Sequence, residues 1–476
     1  MGRWFVVTER RCRNWPILGL ALFVSMSFSP ASVLGQTTSI PATPTAEQLR
    51  SKAAEFEKAG KWNEALQAWC KLYGLDRQNE EANDHIQICL RRLFQSQRPT
   101  DKSLREKVLS LSHSQALAMY GEVLTTLHAA YVDKAKVTPA RLFQQGLDEF
   151  LIALNDENFR KLHMPEVRDA AIRVFQTRLR EYMALRVVDT VPDAVDLVKA
   201  IAATAKRDLH LTKTSVIVLE FVGGACNSLD EYTSYLSPAD LAAESRMGSE
   251  ASVVDAGFLK DGIGYFRISH FKDTTPQEVD NAIAALKMAP QGMNLRVLVM
   301  DLRGNHGGLF SAAVQVVERF IPAGVIATTQ GQLDEFNKVH SSSMKMNVVD
   351  LPLIVLVDGS TASAAEVLAA AFRDHQRATL VGTPTFGKGS IQRILEFRTA
   401  EDLDEHGKVK PRSGGIRITL ARFFSPNGQA INGAGVSPHV SEPDKMRQLE
   451  LALEQAMRYI SVPGPTNSPS VPTTIR

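Results

Sequence analysis

Three runs of branched apolar residues, at 297–300, 353–357 and 378–381, constrain the fold of this chain more than any other feature. The first two show no alternation with polar residues as a half-solvated strand would, so they read as strands buried on both faces, and the third, Ala-Thr-Leu-Val, reads as a further short strand. The first two end in polar turns containing glycine and run into helical patterns at 309–320 and 363–372. With a further strand at 264–268 and a further helix at 276–288, the order predicts an α/β layer with a largely parallel sheet. Active groups in such layers gather at the carboxyl ends of strands. The turns at 301–308 and 358–363 are therefore where chemistry is to be sought.

Upstream the texture is helical. From about 101 to 220 apolar residues recur at helical spacing, as in Leu117, Tyr120, Val123, Leu124 and Leu127, then Leu142, Leu147, Phe150, Leu151 and Leu154. Before them, Gly60-Lys-Trp-Asn-Glu-Ala-Leu-Gln-Ala-Trp69 resembles one tetratricopeptide repeat. A solenoid needs about three repeats to bury its own face. Two readings stand: a helical hairpin docked on the next domain, or a site for a protein partner.

Arg3, Arg10, Arg11 and Arg13 precede an apolar stretch at 17–28, and small residues follow at Ser29, Ala31, Ser32 and Gly35. This is the pattern of an export signal, with an uncleaved membrane anchor as its competitor and a twin-arginine signal a poor fit. It predicts an exported protein of the periplasm or cell envelope. The expected organisation is a signal or anchor at 1–35, a linker at 36–45, the repeat-like hairpin at 46–98 and a helical domain at 99–240. An α/β core at 241–443, a helix at 444–460 and a disordered Pro/Ser/Thr-rich tail at 461–476 complete it.

Composition closes off other classes. The 476 residues carry 54 basic and 52 acidic side chains, a net charge of +2, so no basic excess points to nucleic acid. Of four cysteines, Cys12 lies in the signal, and Cys70, Cys89 and Cys226 lack C-x-x-C spacing, so neither metal nor cofactor is implied. Cys70 and Cys89 read as buried thiols or as a pair oxidised after export.

The strand ending in Asp301-Leu-Arg-Gly-Asn-His-Gly-Gly308 opens a turn whose glycines let backbone N–H groups face an anion, though a purely structural turn would use the same residues. The next strand leads to Asp358-Gly-Ser-Thr-Ala-Ser363-Ala-Ala-Glu366, with Ser363 expected in the first turn of a helix. There the helix's free N–H groups could stabilise a negative tetrahedral intermediate, while Ser363 and Glu366 also spell a capping box. A nucleophilic serine needs a base. His375 lies 12 positions along the same helix, ~18 Å away, and cannot serve. Lys388 in Gly382-Thr-Pro-Thr-Phe-Gly387-Lys388-Gly389-Ser390 follows the next strand and returns to the same sheet edge. Burial can leave a lysine neutral enough to take a serine proton. The loop also nearly spells a nucleotide-binding P-loop, but position 389 is glycine where a magnesium-binding hydroxyl is needed, and a strand pattern follows where a helix should.

Together, the block from Asp301 to Gly308, the Gly359-Ser-Thr-Ala-Ser363-Ala-Ala-Glu366 block and Thr385-Phe-Gly-Lys388-Gly-Ser-Ile-Gln392 resemble the signature blocks of the C-terminal processing peptidases, the tail-specific proteases. The likeness extends to Gly264-Tyr-Phe-Arg-Ile-Ser269, Ala421-Arg-Phe-Phe-Ser-Pro-Asn-Gly428, Gly435-Val-Ser-Pro-His-Val440 and Leu229-Asp-Glu-Tyr-Thr-Ser-Tyr-Leu236. It implies a crotonase/ClpP-like α/β protease core behind an all-helical N-terminal region. It further implies Ser363 as nucleophile, Lys388 as general base, Gln392 as the residue orienting the lysine, and the amides of Gly308 and Ala364 as the oxyanion hole. The activity implied is serine-type hydrolysis of protein or peptide substrates near their C-termini, with no cofactor. The contrary expectation is an exported peptide-binding scaffold.

Two features depart from the family. Only 23 residues separate Pro238 from Gly262, where members usually carry a PDZ domain that captures the substrate tail, and a domain needs ~50. The other departure is His306 within the glycine turn, read as a tolerated loop substitution.

Overall fold

The structure is a computed structural model that describes residues 44–76, 79–98, 100–244, 251–288, 294–342, 348–397 and 414–461. The expected signal and nearly all of the expected linker and C-terminal tail lie outside these residues. No helix among the described residues is long and apolar enough to cross a membrane. The chain is a mixed α/β protein, with an all-helical N-terminal region followed by a sheet-containing core. It divides into two compact units: residues up to 244 with 392–397 and 414–419, and residues 251–391 with 420–461.

The first unit holds α1 (Ala46–Lys58), α2 (Trp62–Leu75), α3 (Glu80–Gln97), α4 (His113–Ala130), α5 (Pro139–Ala153), α6 (Glu157–His163), α7 (Asp169–Ala184), α8 (Val191–Asp208), α9 (Ser215–Asn227), β1 (Ser234–Leu236) and α10 (Pro238–Glu244). Side-chain caps start many of these helices: Thr45, Ser112, Thr138, Asp156 and Thr190 each accept from an N–H of the first turn. α9 is buried along its whole length and packs on α5 at close range, where a Cβ on Gly224 would stand 2.4 Å from the carbonyl oxygen of Gln145. Only glycine allows that approach.

The first three helices share the core of Leu49, Leu66, Trp69, Leu72 and Cys89. Within it the Glu57 carboxylate accepts from Trp69 Nε1 at 2.8 Å and meets His85 Nδ1 at 2.8 Å, with His85 stacked on Trp69. Arg98, just past α3, bonds the buried carboxylates of Glu149 on α5 and Glu220 on α9 at 2.8 and 2.6 Å. Cys70, Cys89 and Cys226 are free thiols in this structure. Burial pushes the Cys70 thiol up to about 11, which keeps it protonated and unreactive.

The second unit is built on a six-stranded sheet in the order β11-β8-β7-β4-β3-β2. Its elements are β2 (Val253–Lys260), β3 (Ile263–Ile268), α11 (Thr275–Lys287), β4 (Val297–Asp301), α12 (Phe310–Val317), β5 (Gly324–Gly331), β6 (Lys338–Ser342), β7 (Leu353–Val357), α13 (Ala364–Asp374), β8 (Ala378–Gly382), β9 (Ser390–Glu396), β10 (Gly415–Phe424), β11 (Val440–Ser441) and α14 (Lys445–Ser461). The chain passes between the units within β9 and again within β10. β3, β4, β7, β8 and β11 run parallel, and β2 alone in this sheet pairs antiparallel.

Period-two alternation loads both faces. Leu353, Val355 and Val357 of β7 face a core with α11, α12 and α13, while Ile354 and Leu356 face Ala452 and Ala456 of α14. Apolar residues on both sides explain why these runs lack polar alternation. A second, antiparallel arrangement joins β5 to β6 and to Ala421–Phe424 of β10. It did not stand out in the sequence, because β5 and β6 mix small, polar and charged residues.

Candidate active site

β4, β7 and β8 are neighbours, so the turns that leave their carboxyl ends open side by side. The first two turns are knitted together. The Asp358 carboxylate, 4% exposed, accepts the N–H groups of Gly304 at 3.0 Å, Ser360 at 3.0 Å and Thr361 at 3.1 Å. Thr361 Oγ1 donates to the Leu302 carbonyl at 2.9 Å, and the Ala362 N–H donates to the Asn305 carbonyl at 2.9 Å. Asn305, fully buried, spends its side chain on the Ile268 carbonyl and the Gly307 N–H. At the root of the first turn Asp301 takes a bidentate pair from Arg303 and a hydrogen bond from the Tyr265 hydroxyl. Arg303 in turn reaches the Lys445 carbonyl at the start of α14.

Ser363 departs from its expected place. It is the cap immediately before α13 rather than part of the first helical turn, and its backbone sits at φ 56°, ψ −121°. Few L-residues adopt such a conformation, and it persists only where surrounding contacts over-determine it. Those contacts are evident. The Ser363 N–H is held by Glu366 Oε2 at 2.8 Å, and the serine Cβ lies against Gly307.

Glu366 does far more than close the helix start. Its fully buried carboxylate also accepts Thr385 Oγ1 at 2.5 Å, the Gly387 N–H at 2.6 Å and the Lys388 N–H at 2.8 Å. Burial raises its pKa above the usual carboxylate range, against the opposing pull of these four hydrogen bonds. The backbones of Ser363 and Lys388 thus meet at one carboxylate oxygen. Gly387 and Lys388 supply the N–H groups that a P-loop would aim at a phosphate, and here they are committed to Glu366. β9 then follows where a P-loop requires a helix.

Ala364 follows the serine as the first residue of α13, and Gly308 ends the glycine turn after β4. Gly308 makes a parallel bridge to Phe271, and Gly307, one residue earlier, is the glycine packed on Ser363 and the Ala364 nitrogen. Gln392 falls in the other unit, where its side-chain amide donates to Thr419 Oγ1 at 3.4 Å. His375 caps the far end of α13 and bonds the Val325 carbonyl at 2.7 Å, a full helix from Ser363.

The model of peptidase family S41 matches residues 262–441, the stretch containing all three turns. These residues are an S41 peptidase domain. The chain is 32% identical over 204 residues to a carboxy-terminal-processing protease of Bartonella bacilliformis, covering 42% of this chain and 44% of that one. It is 36% identical over 252 residues to a carboxyl-terminal-processing protease of a Synechocystis species, covering 52% of each. The chain thus spans about half the length of these relatives. Among solved structures, a photosystem II D1 C-terminal processing protease aligns over 70% of this chain and 94% of its own, with 20% identity and a TM-score of 0.40.

One residue of the S41 domain tests how tightly the turns are set. A Cβ on Gly307 would stand 2.7 Å from Ser363 Cβ and 2.8 Å from the Ala362 carbonyl oxygen, and the residue sits at φ +98°. Gly307→Ala must therefore move the serine or the turn. Under the serine-peptidase reading proposed below, a loss of cleavage of at least about 100-fold is expected, since a 1 Å misplacement can cost that much. Steady-state cleavage of a denatured protein measures it, and near-wild-type activity would contradict the packing described.

Proposed function

We propose that this chain is an exported serine endopeptidase that hydrolyses protein or peptide substrates through Ser363 and Lys388, acting near substrate C-termini. The observation that carries the reading is the shared Glu366 oxygen, which accepts the N–H of Ser363 and the N–H of Lys388 at 2.8 Å each. It ties a serine at a helix start to a lysine from the neighbouring loop. In this reading the neutral Lys388 amine takes the Ser363 proton and the alkoxide attacks the peptide carbonyl. The Gly308 and Ala364 amides receive the oxyanion, the lysine gives its proton to the leaving amine, and water releases the acyl-enzyme. Gln392, four positions after Lys388, is assigned to orient the amine. Histidine has no part in the transfer.

Support comes from the S41 match and from relatives named for carboxy-terminal processing. Export rests on the N-terminal arginines and apolar stretch, and the helical N-terminal region is the candidate surface for a protein partner. Between Pro238 and Gly262 the described residues form only α10 and β2, so tail capture falls to other surfaces of the chain. A serine-directed phosphonylating probe tests the reading. Labelling that peptide mass spectrometry maps to Ser363 is expected, whereas unlabelled protein that still binds unfolded polypeptide would make the chain a scaffold.

A further inference from the structure

The loop that follows β3, residues 269–275, is held at both ends by one buried residue. Ser252, fully buried just before β2, accepts the Ser269 N–H at 2.8 Å and the Ser269 hydroxyl at 3.0 Å on its carbonyl. Its hydroxyl accepts from Thr275 Oγ1 at 2.7 Å, and Thr275 in turn accepts the Lys272 N–H at 2.8 Å. The Glu278 carboxylate of α11 secures Ser252. Its Oε2 takes the Ser252 N–H at 2.7 Å, the Ser252 hydroxyl at 2.8 Å and the Val253 N–H at 2.8 Å, while Oε1 takes the Thr274 hydroxyl at 2.6 Å. Against the cost of burial, these bonds bring Glu278 down to about 2, so it is ionised throughout the neutral range.

The middle of the same loop carries the glycine turn. The Phe271 N–H donates to the Gly307 carbonyl at 2.9 Å, and the Phe271 carbonyl accepts the Leu309 N–H at 2.9 Å, so the two bonds bracket Gly308. A trans peptide is planar, and its N–H points opposite to its carbonyl. Because the Gly307 carbonyl is turned onto Phe271, the Gly308 N–H of that peptide plane is turned away from Phe271, and Gly308 is exposed. We propose that Ser252 is a positioning residue for the oxyanion hole: clasped by Glu278, it fixes the loop whose Phe271 main chain aims the Gly308 N–H at the substrate. The inference rests on the Ser363/Lys388 reading and deepens it, assigning a task to a serine that no motif marks.

The test compares the full chain with its Ser252→Ala variant in two ways. One is the rate at which the phosphonylating probe modifies Ser363 from about pH 5 to about pH 10, since the phosphonyl oxygen enters the hole as the serine attacks. The other is kcat and KM for unfolded casein. In Ser252→Ala the plateau rate and kcat should each fall by about tenfold or more, a share of the roughly 100–1,000-fold that a lost oxyanion donor costs. KM and the pH midpoint should stay in place, and labelling should still run to completion. Glu278→Gln, whose amide oxygen can take the three donors of Oε2 while its NH₂ donates to Thr274, should return close to wild type. Thr275→Val, which keeps the volume and removes the hydroxyl, should repeat the Ser252→Ala pattern and decides the matter should the alanine variant fail to fold. An unchanged plateau and kcat, a fall confined to the fraction of protein that labels, a loss that appears in KM, or a Glu278→Gln variant as impaired as Ser252→Ala overturns the inference. Wild-type protein that takes no label at any pH overturns the Ser363/Lys388 reading itself, and this inference with it.

Discussion

Ser363→Ala and Lys388→Met are each expected to lower kcat/KM for an unfolded protein substrate by about 10⁴-fold or more, with thermal unfolding close to wild type. The structure supplies the reason that stability should survive. Both residues are tied into the core by backbone N–H groups on Glu366, and neither substitution touches those bonds. Ser363→Ala removes one oxygen and leaves the φ 56° backbone held by the same contacts. Lys388→Met keeps the aliphatic stem and removes the amine. The double variant should be scarcely slower than either single one, because a nucleophile and its base act as one unit and their losses do not add. Mass spectrometry of fragments from a protein mixture reads the outcome directly: cuts made by the wild type should vanish in all three variants. Residual cleavage within about tenfold of wild type, or losses that multiply in the double variant, would detach Lys388 from Ser363 and remove the proposed chemistry.

What the sequence disclosed follows from where the information is local. A strand buried on both faces writes itself as an unbroken apolar run, so β4 and β7 were legible, and so were the helices that leave them. Glycine and polar residues crowd into the turns at the strand ends, which is why 301–308 and 358–363 were expected to hold the chemistry, and the structure sets these two turns side by side. The β5–β6–β10 arrangement was not legible, because its strands carry no comparable pattern. The same limit hid the parts of Asp358, Asn305 and Thr385, each of which has a partner far along the chain: Gly304, Ile268 and Val436. Thr385 bonds both Glu366 and the Val436 N–H, and no spacing rule announces that. Glu366 was visible only as a capping residue, because three of its four donors come from a loop about 20 positions on. Its full burial was the missing signal: a carboxylate is almost never completely buried unless it is paired.

That burial makes Glu366 the second place where a single substitution should have a large effect. Four donors converge on two oxygens: Ser363 and Lys388 N–H on Oε2, Thr385 Oγ1 and Gly387 N–H on Oε1. Glu366→Gln turns one of those oxygens into an NH₂ group. Facing Ser363 and Lys388, it would set donor against donor twice. Facing the other pair, it could bond a rotated Thr385 hydroxyl but would leave the Gly387 N–H unpaired. Glu366→Ala abandons all four. A buried donor without an acceptor costs about 1–3 kcal/mol, so the alanine variant is expected to lose at least about 3 kcal/mol of stability and the glutamine variant less. The activity loss should exceed what the lowered stability explains. Measured well below the melting transition, probe labelling of Ser363 should fall by about 100-fold or more in Glu366→Ala, because the serine backbone and the lysine loop lose their common anchor. Ser363→Ala provides the contrast, losing activity at unchanged stability. Equal labelling rates in folded Glu366→Ala and wild type would show that the two segments find their places without the carboxylate, and that the tie between them is structural decoration.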